Sequence, residues 1–595
     1  MHKIPDCYIK NYPRPQFVRE NWFDLCGEWD FVFDDENVGE KKGYYSKFPS
    51  DALNITVPFS YETAKSGIGD TTVHKVVWYN RTVNVPILNE SQRYIIHFEG
   101  SDYYTKVWVN GQNIGAHEGG YCRFSVDATD YLVAGENKFT VRCEDSLDTR
   151  QPRGKQRWLN HSYGCWYVQT TGLWKPVWGE IVPETRLAYV KITPDLDTES
   201  VRFDYELTGQ NENTEIEADI RIRDNFVTKV RIGANRASIS QTVDLRWDSF
   251  VWKIGAWSPW DPNLYDVTFT VYQNGEVVDK VGSYFGLRKI EADSKGIRLN
   301  NVPLYQKLVL AQNYWRDSGL TAPDEEALIA DIDYTKQAGF NGVRIHQKIE
   351  DERFLFWCDV KGLVVWGEFP AQYEYGGDAV RRFTNEWTEA VLQQYNHPAV
   401  IVWTPFNESW GVPDIFGNKE QQMFTRAVYN LTKAYDPFRP VITNDGWEHT
   451  CSDILTLHDY DGSASHMAPR YKGEAMKRIL SNKIPHGGHR LAMVYGEEYK
   501  GQPIIISEYG GVALEGSQGW GYNGKAAGED ALIEKYDELT TTIKGMLDEG
   551  VWGYCYTQLT DVEQEENGLY TYDRKLKFDK DRLYAAMARK AAIED

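Results

Sequence analysis

Apolar runs long enough to cross a bilayer are missing from this sequence, and its first residues, MHKIPDCYIKNYPRP, lack the continuous apolar core of a signal peptide. A cytoplasmic protein is expected. Basic residues are outnumbered, 65 Lys and Arg against 87 Asp and Glu. The formal charge of −22 argues against nucleic acid or an anionic membrane as partner, because clustered cations hold both. Cysteines are few and scattered. The eight of them (Cys7, Cys26, Cys122, Cys143, Cys165, Cys358, Cys451, Cys555) form no C-x-x-C pair and no zinc-like spacing. They read as free thiols in a reducing compartment, with no metal or other cofactor.

Aromatic residues, by contrast, are plentiful, with 21 Trp and 38 Tyr. Core packing accounts for most of them; the rest suit a carbohydrate partner, whose C–H faces stack on rings. A chain of 595 residues is too long for one core and calls for several modules.

From Asn21 to about Pro183 short alternating runs (GEWDFVFD, VVWYNRTVNV, RYIIHFEG, TKVWVNGQNIG, NKFTVRCED) predict an antiparallel sandwich of jelly-roll type, with a hairpin at Asn110-Gly111. Within it Arg150 to Trp178 is a long segment with little alternation, which predicts a functional loop able to bring Trp158 or Trp166 to a substrate; Trp174 and Trp178 read as strand core. A second all-β module follows, about seven strands, of immunoglobulin-like type. Beyond Asp293 apolar runs alternate with helical segments. Eight strands are predicted: Leu304–Gln312, Asn341–Gln347, Leu363–Phe369, Val400–Glu408, Pro440–Asp445, Ile454–Tyr460, Pro503–Glu508 and Val551–Leu559. A helix is predicted at Asp324–Gln337, with Leu328, Ile332 and Thr335 on one face. That is the arithmetic of a (β/α)8 TIM barrel. The predicted domains are 1–184, a β jelly roll; 185–292, an immunoglobulin-like β-sandwich; and 293–595, the barrel.

Two barrel strands end in the same way. AVIVWTPFNESWG is an apolar run closing on Asn407 and Glu408, and PIIISEYGG closes on Glu508. In a parallel barrel the active site lies at the C-terminal strand ends, where both carboxylates would converge. Paired carboxylates flanking one bond are the equipment of glycoside hydrolysis. Other strand ends add Arg344 and His346, Glu368, His458 and Tyr460, and Tyr556 and Gln558 to the same mouth, and Trp410 follows Glu408 closely. An ion pair of Arg344 with Glu368 is expected inside the barrel. His346, Asp445, His458 and Glu508 are metal-ligand types, but no H-E-x-x-H or H-x-x-E-H spacing joins them.

The whole chain resembles glycoside hydrolase family 2, which contains β-galactosidases, β-glucuronidases and β-mannosidases. Five stretches in the family's order carry the likeness: FEGSDYYTKVWVNGQNIGAHEGGYCRFSVD (Phe98–Asp127), SYFGLRKIE, NGVRIHQ, GLVVWGEFP and HPAVIVWTPFNES. The resemblance implies that Glu408 is the acid/base and Glu508 the nucleophile of a retaining mechanism, that Asn407 holds the sugar 2-OH, and that Tyr460 orients Glu508. It also allows a homo-oligomer, which no residue here specifies. Members that take glucuronides carry an Asn-x-Lys motif where this chain has Glu565-Glu566-Asn567, followed by GLYTYDR. Acidic groups there argue against ordinary glucuronide recognition, while Arg or Lys on other loops would still allow a uronate. The family's strand-eight Trp corresponds to Tyr556, and the usual continuation after NGVR is missing.

The expected activity is that of an exo-acting retaining β-glycosidase with a terminal β-D-galactoside as first choice. β-Galacturonide or β-glucuronide cleavage is the alternative, and a carbohydrate-binding protein on a hydrolase scaffold is the alternative of another class.

Overall fold

The computed structural model describes residues 3–246 and 254–594; Met1, His2 and Asp595, at the outer ends of the first and third predicted domains, lie outside it. In the N-terminal module a six-stranded sheet (Leu53–Val57, Gly27–Phe33, Val76–Val85, Gly135–Glu144, Tyr104–Val109, Gln112–Glu118) faces a four-stranded one (Trp22–Asp24, Val177–Pro183, Gln92–Phe98, Phe124–Asp127). Strand alternation sends Trp29, Phe31, Tyr79, Phe98, Phe139 and Val141 into the core between them. Asn110 and Gly111 both take positive φ, 50° and 82°, and join Tyr104–Val109 to Gln112–Glu118 as the Asn-Gly signal predicts.

Among the described residues the second module pairs a three-stranded sheet with a four-stranded one, and Thr214–Ile222 shows why: Ile216, Ala218, Ile220 and Ile222 point inward while the residues between them carry charge. This module is tied to both neighbours. Buried Arg19 bonds Asp279 on one side and Glu180 of the first module on the other, while Trp257 Nε1 donates to the Asp359 carbonyl of the barrel at 2.7 Å.

In the third module seven parallel strands are hydrogen-bonded in the order Val400–Thr404, Val364–Glu368, Gly342–Ile345, Gln306–Ala311, Val551–Thr557, Ile504–Gly510, Leu455–Asp459. Their residues are buried on both faces, as the continuous apolar runs require. The helix Glu325–Gln337 begins one residue later than expected because Asp324 is its N-cap, accepting from Ala327 N at 2.8 Å, and it buries Leu328, Ile332 and Thr335.

One predicted strand is not regular. Pro440–Asp445 closes the barrel through two isolated bridges, Val441 to Trp403 and Asp445 to Asn407. Pro440 has no N–H to give. The amides of Val441 and Thr443 are taken by the side chains of Asp453 and Ser452, so no ladder forms on that side.

Candidate active site

Where Val400–Thr404 runs out, Pro405 ends the ladder and the chain turns sharply: Glu408 and Ser409 both take positive φ, 52° and 58°. Non-glycine residues pay for that conformation, and here Glu408 N donates to Asp445 O (3.0 Å) and Ser409 N to Asn444 Oδ1 (2.9 Å) to hold it. The turn aims Glu408 across the barrel mouth at Glu508, near the C-terminal end of the strand Ile504–Gly510. The two are unequally covered: the Glu408 side chain is 22% exposed and that of Glu508 6%.

Arg344 organises the floor. Fully buried, it donates to Glu368 (2.6 Å), to Glu508 Oε1 (2.8 Å) and to Asn407 Oδ1 (2.8 Å), and pairs with Asp445 at 2.9 Å. The expected pair with Glu368 is present, but the guanidinium also reaches Glu508. Tyr460 donates its hydroxyl to the other oxygen of Glu508, and Tyr522 stacks on the Tyr460 ring at 3.5 Å between centroids. Burial pushes the Glu368 carboxyl up to about 7 against the pull of Arg344. Burial and the nearby cations Lys155 and Arg344 hold His346 well below its usual value, so its ring is neutral beside Glu368 at 2.9 Å.

His458 lies between the carboxylates. Nε2 contacts Asp445 at 2.9 Å, while Nδ1 lies 2.8 Å from Glu408 and 3.5 Å from Glu508. Burial lowers its proton affinity, but Glu508, Asp445 and Glu408 more than offset that and raise it to about 10. Burial likewise opposes ionisation of Glu408, and the hydrogen bond and charge of His458 override it, holding that carboxyl below its ordinary range.

Models of one family match along most of the chain: the glycosyl hydrolases family 2 sugar binding domain at 23–149, glycosyl hydrolases family 2 at 185–288, and its TIM barrel domain at 290–575. The chain belongs to glycoside hydrolase family 2. It is a glycoside hydrolase. Among similar proteins are a putative β-glucuronidase of Formosa agariphila, 27% identical over 61% of this chain, and a β-glucuronidase of Paenibacillus borealis, 22% identical over 95%. The chain spans 44% of the length of the first and 96% of the second. Other relatives are named β-galactosidases. A β-galacturonidase of Eisenbergiella tayi has a similar fold, with TM-score 0.75 at 18% identity over 98% of each chain.

On this family 2 scaffold Arg344, His346, Asn407, Glu408, His458, Tyr460 and Glu508 come together, as the strand ends suggested. The Arg150–Trp178 segment crosses to the barrel mouth: Trp166 Nε1 donates to Tyr373 OH at 2.7 Å and its ring meets Trp410 edge-on at 5.5 Å, and Trp158 lies 4.9 Å from Trp166 and 4.1 Å from Tyr373. Trp174 and Trp178 are core, as expected. Two positions differ. Tyr556 faces away from the mouth and packs on Tyr536 and Tyr509 (4.2 and 5.4 Å), because alternation along Val551–Thr557 turns Thr557 inward instead, with its Oγ1 3.1 Å from Tyr460 OH. Gln558, fully buried, bonds Asn567 at 2.8 Å, and Asn567 bonds Glu565, so Gln558 supports the wall without reaching the opening. Sequence reading missed Thr557, Tyr522, Tyr373 and Lys155; only strand parity, for Thr557, carried a usable signal. Among the described residues no helix is long and apolar enough to cross a membrane, and all eight cysteines are free.

Proposed function

We propose that this chain is a retaining, exo-acting β-glycosidase in which Glu508 is the nucleophile and Glu408 the acid/base. One observation carries the reading. Carboxylate oxygens of Glu408 and Glu508 lie within 4.8 Å of each other, the close spacing of a double displacement at about 5 Å, and not the wider gap that accommodates a water in an inverting enzyme.

In the first step a Glu508 oxygen forms a bond to the anomeric carbon as the glycosidic C–O bond breaks, and Glu408 gives its proton to the departing oxygen. In the second, Glu408 takes a proton from water, whose oxygen displaces Glu508. Arg344 and Tyr460 each donate to one oxygen of Glu508 and together set its direction. Asn407 spends its carbonyl oxygen on Arg344, which leaves its amide N–H groups for the sugar 2-OH. His346, neutral, has a ring nitrogen to offer a hydroxyl. Trp158, Trp166 and Trp410 form a wall beside Glu408 on the side from which a leaving group departs, suited to stacking an aglycone ring.

The glycone is a β-linked hexose or hexuronide. The relatives' names include β-galactosidase, β-glucuronidase and, by fold, β-galacturonidase; a cation in the cup, argued below, moves the preference from the β-D-galactoside to the uronides. The deciding experiment is hydrolysis of aryl β-galactoside, glucuronide, galacturonide, glucoside, mannoside and fucoside by wild type and Glu508→Gln, with the anomer released followed by NMR. One sugar cleaved by wild type alone, with retention, is expected. Inversion, or full activity of Glu508→Gln, would sink the assignment.

A further inference from the structure

Lys155 is a lysine of the N-terminal module whose ammonium lies in the cup of the barrel. The delivery is rigid. Arg153 N and Gly154 N both donate to Ala371 O of the barrel (2.9 and 3.0 Å), Tyr167 N donates to Lys155 O (2.9 Å), and Gly154, at φ 58°, passes so close that a Cβ there would lie 2.4 Å from Gln347 O. Lys155 is 8% exposed. Burial opposes its charge, but the acidic groups facing it, Cys165, Tyr373, Glu565 and Glu408, more than offset that and keep it protonated.

The other cations of the cup are committed: Arg344 to Glu368, Asp445 and Glu508, and His458 to Glu408 and Asp445. Lys155, among the described residues, enters no ion pair; its ammonium lies beside the Cys165 thiol and 5.9 Å from the centre of the Trp166 ring. Glu565, the obvious candidate, is occupied by Tyr167 OH (2.5 Å) and Asn567 Nδ2 (3.0 Å), and burial raises its carboxyl toward the neutral form. A buried ammonium without a contact ion is costly, and a ligand that brings a carboxylate supplies the missing partner. The barrel loop at 565–567 contributes acid and amide, so the cation has to come from the neighbouring module.

We propose that Lys155 binds the carboxylate of a β-linked hexuronide, making uronides the substrate class of this site. The inference rests on the glycosidase reading above, and the test separates the two by measuring binding apart from turnover. Calorimetry on the full chain would compare D-galacturonate and D-glucuronate with D-galactose and D-glucose, for wild type, Lys155→Met and Lys155→Arg, each checked for an unchanged melting transition. At least one uronate should bind wild type on the order of 100-fold more tightly than its neutral counterpart. Lys155→Met should erase that preference and leave the neutral sugar within about 3-fold, and Lys155→Arg should restore part of it. In parallel, kcat/KM for the matching aryl uronide should fall by a similar factor in Lys155→Met, chiefly through KM. Equal binding of acid and neutral sugars by wild type, or equal loss of both in Lys155→Met, overturns the proposal. Selective uronate binding without hydrolysis of any uronide would leave Lys155 in its role and remove the catalytic reading instead.

Discussion

The Nδ1 of His458 stands 2.8 Å from Glu408 Oε1, with Asp445 holding the opposite ring nitrogen at 2.9 Å. In the proposed mechanism Glu408 needs a proton to give, yet the cation beside it favours its ionised form. The two facts meet if the pair holds one proton, on His458 at rest and passed to Glu408 as the leaving oxygen draws charge.

The pH profile tests this. His458 faces Glu408, Glu508 and Asp445, and also the cationic Arg344 and the histidines His449 and His486, which burial lowers to about 4 and about 3 and so keeps neutral. Raised to about 10, it keeps the shared proton until that pH, so the alkaline limb of kcat/KM should lie near 10 in wild type. In His458→Gln that cation is gone and burial of Glu408 is opposed only by Lys155 and Arg344, so the limb should move to lower pH, with a loss of about 10- to 100-fold at pH 8. An unmoved limb would remove His458 from the proton path.

The two glutamates should be separable by leaving group. Glu408→Ala removes the proton donor, so substrates with a poor leaving group should lose about 100-fold or more, while a dinitrophenyl glycoside, which departs unprotonated, should still load the enzyme and accumulate the glycosyl intermediate. Azide, needing no general base, should then speed release as the β-glycosyl azide. Glu508→Ala should lose both substrates alike, and a burst with that variant would reverse the assignment.

Much of this site was legible because a buried parallel strand advertises its end. Val400–Thr404 and Ile504–Gly510 are continuous apolar runs, so the first polar residues after them are placed by geometry, and Glu408 and Glu508 follow. Tyr556 was misplaced because family correspondence was given more weight than strand parity, which puts Thr557 inside. Lys155 had no such signal: its loop has neither a two-residue nor a 3.6-residue period, and what positions it is contact with Ala371 and Gln347, far away in sequence. Pro440–Asp445 reads as a strand by composition, while its irregularity depends on which side chains capture its amides.

The parity correction can be measured directly. Tyr556→Phe alters a ring packed on Tyr536 and Tyr509, so kcat/KM should stay within about 2-fold and stability within about 1 kcal/mol. Thr557→Val removes the hydroxyl beside Tyr460, and kcat should drop about 3- to 10-fold with little change in melting temperature. The opposite ranking would put Tyr556 back at the mouth.

A buried ion pair behind the strand Val400–Thr404 gives a stability prediction. Asp436 bonds Arg439 at 2.6 Å and Trp403 Nε1 at 2.8 Å. Burial raises its carboxyl, but the charge and hydrogen bond of Arg439 dominate and bring it to about 2. A carboxyl depressed on folding stabilises above its unfolded value of about 3.9, and that contribution fades as pH falls toward 2. Asp436→Ala should cost about 3–5 kcal/mol at pH 7 by stranding Arg439, and the gap from wild type should narrow in urea melts repeated toward pH 3. A gap that does not change with pH would place the cost in packing, not charge.

Gly154→Ala tests whether the N-terminal module completes the cup. The change adds one methyl, but at φ 58° and 2.4 Å from Gln347 O that methyl has no room, so either the 150s loop or the turn after Gly342–Ile345 must shift. The loop is the softer of the two, being fixed to the barrel here by the amides of Arg153 and Gly154 on Ala371 O, whereas Gln347 follows a strand buried in the sheet. Lys155 and Trp166 would move with it. KM should therefore rise about 10-fold or more for a substrate held by Lys155, while Glu408, Glu508, Arg344 and His458, all carried by the barrel, keep their arrangement and kcat at saturation changes less. Loss of kcat with KM intact would mean instead that the strain reaches Arg344 through Gln347, and that the loop's position matters to the chemistry and not only to binding.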